Sequence, residues 1–373
     1  MKIEKSYFIL LSLLLITTSM IAINSNNVKI GFKDSIDNID LKVSASYFSP
    51  ITINGLPKSQ FNWSWAKSQG YCTGFGTVAN PYIIQNHIFN TFAFTGDDCL
   101  TIQNSREYFI IRNCQFLSYY FQVGIHLINV TNGLMTNNHN IPLSGALFWL
   151  QNSSYNVISS NNASFNFLYG IFLDGEINYQ NTHNIISHNV VENNTDTGIL
   201  LDGYDRKNVI SNNLVSNNGD GIRLEVYSNN NTIIQNVIKT NVDRGLDITT
   251  LSAGNEIYLN CFNNTINARD DGLNNQWDNG VRGNYWDDYL GEDVDNNGIG
   301  DSPYTIGGKA GAEDNFPFMS CPLPWSEETG TLPGFHLYIL IGISTITIIG
   351  LTMIILKKKK RLLIKDDLLM IRN

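Results

Sequence analysis

Two groups of oxygen-bearing side chains in this chain have the types and spacing that chemistry needs. The first is Asp293 to Asp301, with carboxylates or amides at relative positions 1, 3, 5 and 9 and Gly298 at position 6. Calcium takes roughly six to eight oxygen ligands, and a glycine at that position supplies the turn that lets a short loop wrap the ion. Asp293, Asp295, Asn297 and Asp301 are therefore the expected ligands of a structural calcium ion. Position 12 is Tyr304 rather than a bidentate Glu, so the loop is not an EF-hand. The second group is Asp174, Asp202 and Glu225, each of which directly follows a Gly-Ile-x-Leu tetrapeptide. Carboxylates brought to about 5 Å from one another cannot all ionise cheaply, so a cation binds or one of them holds its proton. Two carboxyls at about that distance are also the geometry of a retaining glycosidase. Trp149, Tyr169, Phe172, Tyr204 and Tyr227 occur in the same stretch and offer ring faces to sugars. The competing reading is that these carboxylates lie in turns and splay into water.

These residues can meet only if something brings distant segments to one height, and the sequence contains such a device. A six-residue phrase, Asn-x-Ile-x-x-Asn, begins at Tyr108, Asn132, Asn156, Asn184, Asn208, Asn231, Asn255 and Asn279, with gaps of 24, 24, 28, 24, 23, 24 and 24 residues. Its third position is aliphatic throughout: Ile110, Leu134, Ile158, Ile186, Ile210, Ile233, Ile257 and Val281. Its sixth is always asparagine: Asn113, Asn137, Asn161, Asn189, Asn213, Asn236, Asn260 and Asn284. A fixed period of this length marks a solenoid, whose units bury their apolar faces only against their neighbours. Alternating aliphatics make the unit β, and asparagine and glycine suit the left-handed backbone of tight corners. The expectation is an all-β parallel β-helix of nine to eleven coils of about 24 residues. Coils would rise about 4.8 Å each, with the sixth-position asparagines stacked as a ladder. Asp174, Asp202 and Glu225 lie 18, 18 and 17 residues into their coils, so they should stack. The longer coil, with Glu176 to His183, would wall that region.

The chain has 373 residues and a formal charge of −9, with no basic stripe on the repeats, which argues against nucleic acid as a partner. The organisation expected is a signal peptide or N-terminal anchor over 1–25, an N-terminal segment and cap over 26–80, and repeats over 81–290. An Asp-rich C-terminal cap follows over 291–325. The run 335–356 carries no charge and is long enough to span a bilayer as a helix. The basic cluster opening the tail 357–373 should stay cytoplasmic, which leaves the repeats at the cell surface. Five cysteines leave at least one without an intrachain partner; pairing Cys261 with Cys321 would pin the C-terminal segment onto the last coils. Seven Asn-x-Ser/Thr sequons, at Asn62, Asn129, Asn152, Asn162, Asn193, Asn230 and Asn263, are compatible with glycosylation. Trp277, Trp286 and the segment Phe61 to Trp65 read as covers for the solenoid ends.

From about Ile51 to Met319 the chain resembles secreted right-handed parallel β-helix proteins. These are grouped with the NosD-like periplasmic copper-binding family and with carbohydrate-binding and sugar-hydrolase domains. Asn80-Pro81-Tyr82-Ile83-Ile84, the repeats, Gly283-Asn284-Tyr285-Trp286-Asp287-Asp288-Tyr289 and Asp293 to Tyr304 carry the likeness. The resemblance implies the fold and a place outside the cytoplasm, but not one function, because this fold hosts many. Gly96-Asp97-Asp98-Cys99-Leu100 resembles the paired-aspartate signature of polygalacturonases, whose other motifs are missing here; by register His126 should lie level with Thr101, not Asp98. Copper is implied by the family, yet His87, His126, His139, His183 and His188 show no ligand spacing. The function expected is non-catalytic binding of polysaccharide or a surface partner. A polysaccharide hydrolase or lyase using Asp174, Asp202 or Glu225 is the competing class, and a copper accessory protein a third.

Overall fold

The corners decide the architecture, because a parallel solenoid must turn its chain three times per coil without leaving buried amides unpaired. Each corner here uses a residue in the left-handed region followed by a buried asparagine. At one corner the pairs are Ser160 (φ 58°) with Asn161, His188 (56°) with Asn189, Asn212 (55°) with Asn213 and Gln235 (56°) with Asn236. At another, Tyr155 (58°) precedes Asn156 and Lys207 (55°) precedes Asn208. At the third, Phe165 (61°) precedes Asn166 and Thr240 (54°) precedes Asn241. A side chain there costs about 1–2 kcal/mol in backbone strain, and the bonds made by the following asparagine offset it. Asn213 is representative: its Oδ1 accepts from the Asn189 backbone N–H (2.9 Å) and Nδ2 (3.0 Å). Its Nδ2 donates to Asn236 Oδ1 (2.9 Å) and the Ile186 carbonyl (2.9 Å).

The structure is a computed structural model that describes residues 46–91, 96–118, 121–140 and 144–323, all within one compact unit. The expected signal segment, the charge-free run 335–356 and the basic tail lie outside the described residues. Among the described residues no helix is long and apolar enough to cross a membrane.

Between corners the chain runs as short parallel strands forming three faces. The long face has nine strands: Ile51–Asn54, Leu100–Ser105, Val123–Val130, Ala146–Gln151, Tyr169–Asp174, Thr197–Asp202, Asp220–Glu225, Arg244–Ile248 and Ala268–Asp270. A second face has eight strands, from Tyr82–Gln85 to Glu256–Tyr258. The third is split into four-stranded and five-stranded pieces, joined through single bridges at Asn162. The solenoid thus makes about eight turns, fewer than the nine to eleven expected, because Asn54 to Tyr82 and most of the chain after Asp270 cover the ends instead of adding full coils. Inside, Met135, Ile158, Ile186, Ile210, Ile233 and Ile257 stack one per coil with no exposed surface, each contributing about 1.5–3 kcal/mol through burial.

Three ladders run from the coil of Asn138 and Asn140 to the C-terminal end where one was expected from the sequence repeat. Asn138, Asn161, Asn189, Asn213, Asn236, Asn260 and Asn284 form the expected one. Asn156, Asn184, Asn208, Asn231, Asn255 and Asn275 form the second, and Asn140, Asn166, Asn194, Asn218, Asn241, Asn264 and Asn267 the third. The repeat phrase slips at both ends. Asn113 and Asn137 are exposed left-handed corner residues (φ 53° each), and Cys114 and Asn138 take the ladder positions. Ile111 and Met135, not Ile110 and Leu134, face the core there. Val281 is exposed, and Asn275 rather than Asn279 receives Asn255.

Both ends are closed by aromatic residues. The short helix Trp63–Ser68, capped by Asn62 Oδ1 on the Trp65 N–H (2.9 Å), buries Trp63 against Tyr82 with ring centroids 4.6 Å apart. At the other end Trp286 is buried between Phe262 and Tyr304, and the disulfide Cys261–Cys321 ties the closing segment to the coils. The pairing matches the expectation from sequence; Cys72, Cys99 and Cys114 are free and buried.

Asn213→Ala should lower stability by about 3 kcal/mol or more, since it orphans several buried partners. Asn212→Gly, at the exposed corner beside it, should be nearly neutral, because glycine accepts the left-handed conformation. Denaturant midpoints of the two variants check this; equal losses would show that the ladder carries no special weight.

Candidate functional site

Outward-facing residues of the long face stand in columns, because each strand pairs with its neighbour without slippage. One column reads Thr52, Thr101, His126, Trp149, Phe172, Leu200, Arg223 and Asp247. Two residues further along each strand a parallel column reads Gln103, Ile128, Gln151, Asp174, Asp202 and Glu225. The three carboxylates proposed from sequence therefore occupy successive register positions. They do not splay into water: each is half-buried, and Asp174 accepts from Gln151 Nε2 (2.8 Å) and Trp149 Nε1 (3.2 Å). Gly175 and Gly203 let the backbone of the two coils touch just beyond them. A Cβ on Gly175 would lie 1.9 Å from the Gly203 carbonyl, and Gly203 has φ 96°.

Electrostatics differ along the column. Burial raises the Asp202 carboxyl above its ordinary range, and neighbouring Asp174 adds to the shift. Burial also raises Glu225, against the pull of Arg223, with which it forms an ion pair. Arg223 and Arg244 sit among Asp220 and Asp247, with Arg244 3.2 Å from Asp247. Burial pushes Asp220 up to about 6, with Arg223 opposing it. The Tyr169 hydroxyl is pushed up to about 12, mainly by burial and then by Asp196.

The aromatic residues come together differently from the sequence picture of open ring faces. His126 stacks on Trp149 (5.0 Å), Phe172 lies 5.3 Å from the same indole, and Tyr169 packs beside Phe172 (4.9 Å). Tyr204 and Tyr227 stack on each other (5.0 Å) at the neighbouring corner. These rings turn faces toward one another and leave edges for a ligand. The longer coil forms a tight turn bridging Glu176 and Tyr179, with Ile177 and Tyr179 exposed beside the carboxylates.

His126 does lie level with Thr101, yet its side chain reaches Asp98, contrary to the reading from register alone. Nδ1 is 2.7 Å from Asp98 Oδ2, and Asp98 Oδ1 accepts the Val123 N–H at 2.8 Å. Asp98 precedes its strand, so its side chain is not bound to the strand's alternation and turns forward to the next coil. Nε2 is 3.0 Å from Gln151 Oε1, and the Gln151 amide nitrogen is taken by Asp174. One hydrogen-bonded chain, Asp98–His126–Gln151–Asp174, thus links four successive coils. Neither paired carboxylates nor histidine spacing reveals it, because its members are separated by whole coils.

In the Asp293–Asp301 loop the carboxylates serve the turn. Asp293 accepts from Asn297 N–H (3.0 Å) and Gly298 N–H (2.8 Å), Asp295 from the Asn297 side chain (3.0 Å) and Asp301 from Val294 N–H (2.7 Å). Among the described residues no three His, Cys, Asp or Glu side chains converge closely enough to hold a metal ion.

Residues 148–291 match the family model described as periplasmic copper-binding protein (NosD). Over those coils the chain is similar to that family, and its fold there is a parallel β-helix. No curated protein matches the chain. Among solved structures it is similar in general fold to the periplasmic alginate epimerase AlgG, with 14% identity and a TM-score of 0.36 over 67% of this chain and 75% of that one. Pectate lyase Pel9A is similar at 12% identity and a TM-score of 0.40, over 65% of this chain and 75% of the other. The residues present do not fit copper. Within the matched segment His183 and His188 stand at different corners of one coil, His183 stacked on Tyr155, and Cys261 is oxidised. Outside it, burial pushes the Cys99 and Cys114 thiols up to about 12, so neither is a thiolate at neutral pH.

Behind the carboxylate column lies Asp205, fully buried and bonded through Oδ1 to Asn181 Nδ2 (2.8 Å), while Oδ2 has no partner. Burial holds its carboxyl far above the ordinary range. Its folded pKa exceeds the unfolded one, so the stability it contributes is full at low pH and is lost as pH rises through the folded value. Asp205→Asn keeps the bond to Asn181 and removes the titration. The melting temperature of the variant relative to wild type should therefore increase as pH goes from 4 to 8; a gap independent of pH would show that Asp205 does not titrate.

Proposed function

We propose that the outward face of the long sheet, from His126 to Glu225, binds an extended polysaccharide without turning it over. The observation that carries this reading is the pair of columns. The rings of His126, Trp149 and Phe172 recur once per coil and the carboxyls of Asp174, Asp202 and Glu225 continue once per coil from the level of Phe172, about 4.8 Å apart, close to the length of a sugar ring. Carboxylates accept sugar hydroxyl protons, and half-buried ring edges exclude water around those bonds. A protein partner on the same face is the runner-up within the binding class. Hydrolase or lyase action is favoured by a separate observation: Asp202 and Glu225 are raised beside Asp174, and carboxyls whose environments push them apart can divide acid and base roles. A copper accessory role finds no donor set on these coils.

We place the β-helix outside the cell, tethered through 335–356 with the basic tail in the cytoplasm, on the strength of the charge-free run and its flanking cluster. We assign calcium, as a structural ion, to the loop of Asp293, Asp295, Asn297 and Asp301 on their spacing and the left-handed turn at Gly298 (φ 85°), the carboxylates turning from the N–H groups whose bonds they now accept to converge on the ion.

The purified full chain should bind on a polysaccharide array, with Asp202→Asn and Trp149→Ala each weakening the best ligand about tenfold and no new reducing ends appearing. Release of product abolished by Asp202→Asn would establish the enzyme reading instead. Binding unchanged in both variants would remove the face from consideration. Chelator should lower the melting temperature of wild type but not of Asp295→Ala, and equal sensitivity would rule out calcium at this loop.

A further inference from the structure

We propose that the N-terminal end of this strip is a built subsite for one uncharged, hydroxyl-rich sugar residue, and hence that the polysaccharide is neutral rather than a uronate. The inference rests on the reading of the long face as a glycan strip and narrows the ligand it takes. A pocket of about 340 Å³ opens where the long sheet begins, between its first strand Ile51–Asn54, the Gly96–Asp98 turn and His126. Thr52, Thr101 and His126 are successive members of the same outward column as Trp149, so the pocket is continuous with the strip.

Its lining sorts by role. Asp98 is committed on both oxygens, to Val123 N–H and to His126, and fixes one wall. His126 is held from its other side by Gln151 and covered by Trp149, so that wall is preorganised. Asp97 is exposed at the mouth and can accept hydroxyl protons, while the Thr52 and Thr101 hydroxyls can donate or accept. Pro50 and Ile128 add apolar surface suited to the C–H face of a sugar ring. Among the described residues no Lys or Arg lines the pocket, and the first arginine in the column, Arg223, stands four coils from His126. The one basic ring, His126, has both nitrogens committed to Asp98 and Gln151 and offers no free donor, so a lining with two carboxylates disfavours a uronate carboxylate, whereas hydroxyls meet acceptors.

The test uses cello-, xylo- and manno-hexaose with oligogalacturonate as the charged probe, titrated into the full chain by calorimetry. At least one neutral hexaose should bind, with oligogalacturonate weaker by tenfold or more. Asp97→Ala, a change at an exposed turn, should weaken that hexaose about tenfold, and Thr101→Trp, which fills the pocket, should do the same. Unchanged binding in Asp97→Ala together with loss in Asp202→Asn would overturn the subsite while leaving the strip intact. Oligogalacturonate binding as tightly as the neutral sugars would overturn the ligand class. If no neutral hexaose bound wild type, both the subsite and the neutral-glycan reading would fall.

Discussion

The asparagine ladders are the interaction on which everything else in this molecule depends. From Asn156 and Asn161 onward each coil presents, at its corners, a backbone N–H and a side-chain amide that donate to the next asparagine's oxygen. Asn161 to Asn189 (2.9 and 3.0 Å) shows the pattern. The bonds all point one way, so amide donors are left over at the C-terminal end. Carboxylates receive them in every ladder. Asp314 accepts from the Asn284 N–H (2.7 Å) and from Trp286 Nε1 (2.9 Å). Asp270 takes Asn275 Nδ2 (2.9 Å) and Trp277 Nε1 (2.9 Å), and Asp287 with Asp288 takes Asn267 Nδ2 (2.8 Å each). An acceptor-only group is what a file of aligned donors needs at its end, much as a helix N-terminus favours an anion. Burial pushes Asp314 up to about 6 even so, because its four donors only partly replace water.

Function follows from this indexing. A strand slipped by one residue would exchange its outward and inward side chains, so columns of like chemistry exist only because the corners hold every coil at the same phase. The coil with four extra residues makes the point: its surplus is extruded as the turn at Glu176–Tyr179, and Asp174 still pairs with Asp202. The extra length becomes a wall beside the strip instead of an error in it.

The strip itself is polarised along the axis. Near His126 it consists of hydrogen-bonding groups and one histidine–carboxylate pair, His126 with Asp98, followed by Asp174 and Asp202, which form no ion pair among the described residues. From Arg223 onward it becomes a mesh of two guanidiniums among Asp220, Glu225 and Asp247. Half-buried charges of both signs in one layer hold one another in place, whereas the unpaired carboxylates upstream have hydrogen-bonding capacity to spare for a ligand.

The fold class, the coil length and the stacking of Asp174, Asp202 and Glu225 were legible in the amino-acid order, because each depends only on counting residues between corners; the Cys261–Cys321 bridge was one possible pairing that the fold of the closing segment decided. The phase at the two ends was not. Asn137 and Asn138 are the same residue type, and only the burial of Met135 rather than Leu134 decides which amide enters the ladder. The second ladder stands at the first position of the repeat phrase (Asn156, Asn184, Asn208, Asn231 and Asn255) and was overlooked there, whereas the third was hidden, since Phe165-Asn166 does not advertise a corner until the backbone turns there. The contact of Asp98 with His126 and the use of Trp149 as a cover for His126 were decided by tertiary structure alone. Sequence determines which residues share a height; it does not determine where a side chain standing ahead of its strand will point, because that depends on the space left by neighbours a whole coil away.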